Sequence, residues 1–134
     1  MVEQARVTFI GHIETPYQDL DACPRNVDSQ GPICHLVIEP RFQEGLFGLH
    51  GGQQILILYW LGEAERTTLQ QQSRSSGEWA GVFALRSPNR PNPIGAATLP
   101  IETFEKGRIG VRGLDCLDGT PLIDIKPAMP AERD

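Results

Sequence analysis

Apolar and polar residues along the chain fall into short blocks with the two-residue period of β-strands, separated by turn-rich segments. Val7 to Ile13 alternates β-branched and aromatic residues with polar ones and stops at Thr15-Pro16, which predicts a first strand. Ile33 to Ile38 (ICHLVI) predicts a second, closed by Glu39-Pro40. Arg41 to Leu49 spaces Phe42, Leu46 and Leu49 as a helix would, but Gly45 and Gly48 limit it to a turn or two. Gln54 to Leu61 (QILILYWL) is continuously apolar. Such a strand is buried on both faces, or has one face in the core and the other against a second subunit. Trp79 to Leu85 and Ala96 to Phe104 are expected as strands on either side of a proline-rich corner, with Pro100 marking an edge or bulge. Arg108 to Arg112 follows a tight turn at Lys106-Gly107, and Pro121 to Pro127 is the last expected strand, with a frayed tail after Pro130.

Two stretches break this pattern. Tyr17 to Pro32 is polar and too long for a hairpin connection, and Gly62 to Gly77 is polar with Arg66 and Arg74, expected to be flexible and without fixed structure. About seven short strands with little helix imply a mainly β fold. An open sheet of that kind leaves exposed edges, so the expectation is closure into a small single-sheet β-barrel, one domain over residues 1–134.

Composition agrees with strands and turns: 40% of residues are hydrophobic, and Gly 14 and Pro 11 are both high. The net charge of −5 argues against broad nonspecific nucleic-acid binding, DNA included, but leaves room for a local basic patch. Arginine far outnumbers lysine, which suits bidentate contacts to phosphate or carboxylate. Cys23, Cys34 and Cys116 show no metal-ligand spacing and are expected as reduced thiols in a cytoplasmic protein. No metal site is expected from His12, His35 and His50, which are scattered, and no apolar run is long enough to span a membrane as a helix.

The stretch Leu85 to Gly95, LRSPNRPNPIG, is where chemistry concentrates. Pro88, Pro91 and Pro93 fix their own φ and push Ser87, Arg90 and Asn92 out of the α region, giving a rigid loop that presents arginine and amide donors. Cys23-Pro24-Arg25-Asn26 repeats that chemistry earlier in the chain. Asp115, Asp118 and Asp124 gather around a DGTP turn, where Asp118 can bond the backbone and Gly119 can take positive φ. Carboxylate and arginine side by side would suit a small zwitterion or a nucleoside. Phosphate-loop, Rossmann, zinc-protease and nucleophile-elbow signatures are absent.

The strings GVFALRSPNRPNPIG (Gly81 to Gly95) and GLDCLDGTPLIDIKP (Gly113 to Pro127), preceded by IGHIETPY (Ile10 to Tyr17) and PRN (Pro24 to Asn26), resemble the TrmO/TsaA-like family across nearly the whole chain. The resemblance implies a homodimeric β-barrel that binds S-adenosyl-L-methionine outside the Rossmann-like folds. It also implies N-methylation of the exocyclic amine of threonylcarbamoyladenosine beside the anticodon of tRNA. By the same resemblance, Pro24, Arg25 and Asn26 line the cofactor from the early loop, and Arg86, Pro91, Asn92 and Pro93 from the proline corner. Leu99 matches the strand leaving that corner, and Asp115, Asp118, Gly119 and Thr120 match the late turn. Gly62 and Glu63 stand where the family carries His-Gln, and Gly52-Gln53-Gln54 where many members read FSH. Arg90 and Asp118 are the residues expected to orient acceptor and cofactor. A small-molecule acceptor, or a non-enzymatic cofactor-binding module, are the alternative functions.

Overall fold

A computed structural model describes residues 3–128. Nine strands occur among the described residues: β1 (Gly11–Glu14), β2 (Ile33–Ile38), β3 (Gln54–Trp60), β4 (Gln70–Gln72), β5 (Trp79–Gly81), β6 (Ile94–Pro100), β7 (Thr103–Glu105), β8 (Arg108–Arg112) and β9 (Thr120–Pro127). Seven of them form one antiparallel sheet in the order β6-β3-β9-β1-β2-β8-β7, and β4 and β5 pair separately. β9, the last strand in the chain, lies between β3 and β1.

Alternation along the strands builds the core. Ile13, Leu36, Ile55, Ile57, Ile109, Val111 and Leu122 are all fully buried on the inner face, each contributing about 1.5–3 kcal/mol of apolar burial. β3 is not buried on both faces. Ile55, Ile57 and Tyr59 face the core, while Leu56, Leu58 and Trp60 are only half-buried on the outer face. Phe9 covers part of that face, its ring centroid 6.4 Å from that of Trp60.

The fold is mainly β as expected, but the barrel does not close. β6 and β7 are the sheet's two edges, and no ladder joins them. They are consecutive along the chain, and the bend between them explains the arrangement. Pro100 has no N–H to continue a ladder, and the next donors go to two different places: Ile101 N–H to Gln53 O at 2.9 Å, Glu102 N–H to Gly110 O at 2.7 Å. The chain thereby leaves the β3 side and joins the β8 side, which curls the sheet around its core without a continuous ring of hydrogen bonds.

Other expectations need adjustment. The segment from Gly62 to Gly77 is not structureless, because Gln70–Gln72 pairs with Trp79–Gly81 in a hairpin secured by Ser73 N–H to Glu78 O at 2.8 Å. Trp79 to Leu85 is strand only as far as Gly81; Val82–Ala84 forms a 3-10 helix with Val82 buried. The first strand begins at Gly11, and Val7 and Phe9 stay exposed. Between Ile38 and Leu49 the short helix is a 3-10 helix, Pro40–Leu46, opened by proline at its start. The tail after Pro130 lies outside the described residues; among the described residues no helix is long and apolar enough to cross a membrane.

Candidate functional site

The antiparallel order brings the ends of β1, β3 and β8 and the starts of β2, β6 and β9 to one end of the sheet. Three loops therefore meet there: the early loop after β1, the proline corner before β6, and the late loop between β8 and β9.

The proline corner is held largely by its own side chains. Arg90 Nη1 donates to Leu85 O at 3.0 Å and to Ser87 O at 2.9 Å, closing the loop on itself. Asn89 Oδ1 accepts from Glu65 N–H at 3.0 Å, and Arg66 Nε donates to Pro91 O at 2.7 Å. The Arg66 guanidinium also lies 5.2 Å from the Trp60 ring centroid, joining the corner to β3. Arg86 is exposed and spends one donor, on Ala96 O at 2.8 Å.

Backbone bonds fasten the early loop to the late loop. Asp28 N–H donates to Gly113 O at 2.9 Å, and Gly113 N–H to Pro32 O at 2.9 Å. Gly113 has φ +85, and a Cβ there would stand 1.5 Å from Asp28 O, so only glycine permits this approach. Asp118 is the second fastening: Oδ1 accepts from Thr15 N–H at 3.0 Å and Oδ2 from Gln18 Nε2 at 3.4 Å. Thr15 Oγ1 in turn donates to Cys116 O at 2.9 Å.

Between these loops sits a half-buried carboxylate. Tyr59 Oη donates to Asp115 Oδ1 at 3.1 Å. Burial pushes the Asp115 carboxyl upward, opposed by the Tyr59 hydrogen bond and by the positive charge of Arg86. Asp115 and Arg86 carry opposite charges towards one corner, yet neither has an ion-pair partner within 4.0 Å among the described residues. Cys23 is pushed upward by burial and then by Asp115, and burial pushes Cys116 up to about 12. Both are thiols at neutral pH and neither is an activated nucleophile. Two clefts, about 710 and 490 Å³, lie elsewhere, beside the 3-10 helix Pro40–Leu46 at the opposite end of the sheet. They are lined mainly by apolar residues around Leu46, Phe47 and Leu49, with Glu44 and Lys106 at the rim of the first, whereas the converging loops gather the arginine, amide and carboxylate groups at the open corner.

The profile of the tRNA-methyltransferase O N-terminal domain family matches residues 12–132. The chain belongs to this family. A probable S-adenosyl-L-methionine-binding protein of Rhizobium radiobacter, VirR, is 43% identical over 123 residues, covering 92% of this chain and 70% of that protein. An S-adenosyl-L-methionine-binding protein of Archaeoglobus fulgidus is 36% identical over 90% of this chain and 87% of its own length. A crystal structure of TrmO superposes with a TM-score of 0.76 at 33% identity, covering 100% of this chain and 60% of that one. TrmO from Pseudomonas aeruginosa gives 0.74 at 35% identity, over 95% of this chain and 57% of its own. The chain thus spans about 60% of the length of these TrmO structures.

In this TrmO-family domain the residues marked out in the sequence are not all alike. Pro24, Arg25 and Asn26 are exposed on the early loop, Gly62 and Glu63 on the turn after β3, and Asn92 and Arg86 on the proline corner. All lie at the same end of the sheet as Asp115, Asp118, Gly119 and Thr120. Pro93 is buried, and Pro91 offers its carbonyl to Arg66. Leu99 is 2% exposed within the core, opposite Ile55, and presents no side-chain surface to a ligand. Arg90 and Asp118 have their polar atoms engaged by the loops they sit in, whereas Asp115 and Arg86 retain spare hydrogen-bonding capacity. Tyr59 was missed: within QILILYWL it reads as one more core residue. Its trace in the sequence is Gly95, where a Cβ would stand 2.4 Å from the Tyr59 ring.

Proposed function

We propose that this end of the sheet binds S-adenosyl-L-methionine and that the domain transfers its methyl group to a nitrogen of tRNA, the exocyclic amine of threonylcarbamoyladenosine. The observation that carries the reading is a pair of opposite charges, Arg86 and Asp115, at one corner of three converging loops, neither of them in an ion pair within 4.0 Å among the described residues. A zwitterionic amino-acid group beside a sulfonium fits that donor set. The guanidinium of Arg86 suits its carboxylate, and the half-buried Asp115 suits its positive charge. The relatives' names support the choice of cofactor, since VirR and the Archaeoglobus protein are both called S-adenosyl-L-methionine-binding.

The bound cofactor supplies a methyl group already activated on sulfur. What remains for the chain is placement and exclusion of water, which can supply most of the acceleration for attack by an amine. The proline corner holds its arginines in a preset geometry, so little ordering entropy is lost on binding. Asp115 keeps a negative charge near the sulfonium, and the Asp28–Gly113 and Asp118–Thr15 bonds hold the early and late loops together around it. No acid–base triad is required. The three free cysteines suit a reducing, cytoplasmic setting.

The half-buried outer face of β3, Leu56, Leu58 and Trp60, with Ile94 39% exposed beside it, is the surface we assign to a homodimer. Sedimentation should show a dimer that Leu58→Glu converts to monomer; a wild-type monomer would reject the assignment. The net charge of −5 favours a second reading, a small-molecule acceptor. Incubation with methyl-labelled cofactor and either tRNA or a metabolite pool separates the two by where the label appears. Label in tRNA that lacks threonylcarbamoyladenosine would reject the specific acceptor, and binding without transfer would reject the enzyme.

A further inference from the structure

Tyr59 is an unusual occupant of the core-facing row of β3. Ile55 and Ile57 before it are wholly apolar, but Tyr59 is 3% exposed and carries a hydroxyl that needs a partner. That partner is the Asp115 carboxylate, 56 residues away in sequence, at 3.1 Å. The ring itself lies against Gly95, the last residue of the proline motif, so closely that a Cβ there would stand 2.4, 2.7 and 2.8 Å from three of its atoms. One side chain therefore touches both the start of β6, where the proline corner ends, through its ring, and the late loop, through its hydroxyl.

We propose that Tyr59 is a positioning residue of the methyl-transfer site, its ring seated on Gly95 and its hydroxyl holding the Asp115 carboxylate turned towards the cofactor. The inference rests on the cofactor reading given above. Asp115 has two oxygens and the hydroxyl takes one lone pair of Oδ1, which fixes the rotamer and leaves the remaining acceptors for a cationic ligand. A tyrosine donor does this without bringing a competing charge. A lysine or arginine at the same place would neutralise Asp115 and cancel its attraction for a sulfonium. Phenylalanine would keep the packing against Gly95 and lose the hold on the carboxylate.

The charged and titratable groups facing Asp115 come from four segments: Tyr17 and Cys23 from the early loop, Tyr59 from β3, Arg86 from the proline corner, and Cys116 beside it on the late loop. Burial raises both tyrosines and both cysteines, so all four stay neutral below pH 8. Asp115 is the carboxyl of this set, raised by burial from the usual carboxylate range. The Tyr59 hydrogen bond favours the ionised form, so its removal moves the Asp115 titration upward.

The test uses the wild-type chain, Tyr59→Phe, and Asp115→Asn to assign the signal. Carbon-13 carboxyl NMR follows Asp115 in the free protein, and calorimetry follows S-adenosyl-L-methionine affinity from pH 4 to 8. In Tyr59→Phe the Asp115 midpoint should rise by about one pH unit, a tenfold change in its protonation equilibrium. The acid loss of cofactor affinity should move upward by the same amount, while the melting temperature at pH 8 stays close to wild type. A rise in the NMR midpoint with the matching shift in affinity supports the proposal. An unmoved NMR midpoint overturns it, and so does an affinity profile that is unmoved or independent of pH in both proteins. If the wild type binds no cofactor at any pH, the cofactor reading falls and the positioning role falls with it; the NMR titration shows separately whether Tyr59 holds Asp115.

Discussion

Replacing Asp118 by alanine distinguishes a latch from a catalyst, because the structure assigns its carboxylate two protein partners and leaves little for a ligand. The bond worth counting is the 3.0 Å one donated by the N–H of Thr15, a residue only 8% exposed, where the abandoned donor would find little water. Hydrogen bonds to charged acceptors contribute about 1.5–3 kcal/mol, and the exposure of Asp118 itself argues for the lower end, about 1.5 kcal/mol. The contact with Gln18, 3.4 Å and exposed, adds little. For a chain between the sizes where 1 kcal/mol moves the melting point about 2–4 °C and about 4–8 °C, that loss corresponds to about 6 °C. Asp118→Asn keeps a neutral acceptor at the same place and should lose about half as much. Thermal unfolding followed by circular dichroism measures both, with calorimetry of S-adenosyl-L-methionine binding alongside. The expected result is melting in the order wild type, Asp118→Asn, Asp118→Ala, with Asp118→Asn binding the cofactor within about threefold of wild type. Unchanged melting in both variants together with a tenfold or greater loss of affinity would refute the latch and place the carboxylate on the ligand.

Arg86→Ala should weaken cofactor binding by about 1.5–3 kcal/mol with little change in melting; calorimetry showing unchanged affinity would remove Arg86 from the site. Gly113→Ala should lower both the melting temperature and the affinity. Positive φ costs a side-chain residue about 1–2 kcal/mol, and the new Cβ drives Asp28, and the early loop with it, off the late loop. A variant with wild-type melting would show that the two loops do not depend on this contact. Arg108 donates to Glu14 at 2.8 Å and holds its carboxyl below the usual range. The folded value is the depressed one, so this stabilisation is present above pH 4.5 and lost as pH falls through the folded value. Both groups are well exposed, so Glu14→Gln should cost only about 0.2–1 kcal/mol at neutral pH and flatten the acid limb of denaturation; a variant with the wild-type acid profile would discount the pair.

Most of the main sheet was legible because its strands are short apolar or alternating runs, as in QILILYWL and ICHLVI, with turn residues between them, although β7 was read as a continuation of β6. β4 was not legible. Gln70, Gln71 and Gln72 give no contrast between faces, and the hairpin depends on backbone pairing with Trp79–Gly81 that side-chain pattern does not record. Closure of the barrel failed at Pro100 and the two residues after it, where the donors divide between Gln53 and Gly110. The proline corner was legible as rigid, but the use of its arginines was not. Arg90 turns to carbonyls three and five residues back, and Asp118 to a backbone amide supplied by Thr15, near the other end of the chain. Residue type marks a group as able to bond; only the fold decides whether a backbone group has already taken the bond. The pairing of Tyr59 with Asp115 was hidden for the same reason, although Gly95 bore its imprint.

The central position of β9 bears on how such a chain comes to be folded. Without β9 the sheet consists of two ladders, β6-β3 and β1-β2-β8-β7, with no strand pairing between them among the described residues. The pairings that unite them, Ile55 with Pro127 and Gly11 with Leu122, join segments far apart in sequence and carry a large loop-closure cost, which makes them slow to form. Asp118, Gly119 and Thr120 stand at the threshold of that strand, so the late side of the corner is built as the two ladders are joined. A chain that has stalled with only its ladders formed has no complete corner. A ligand of the complete corner then binds finished molecules alone and stabilises them by mass action.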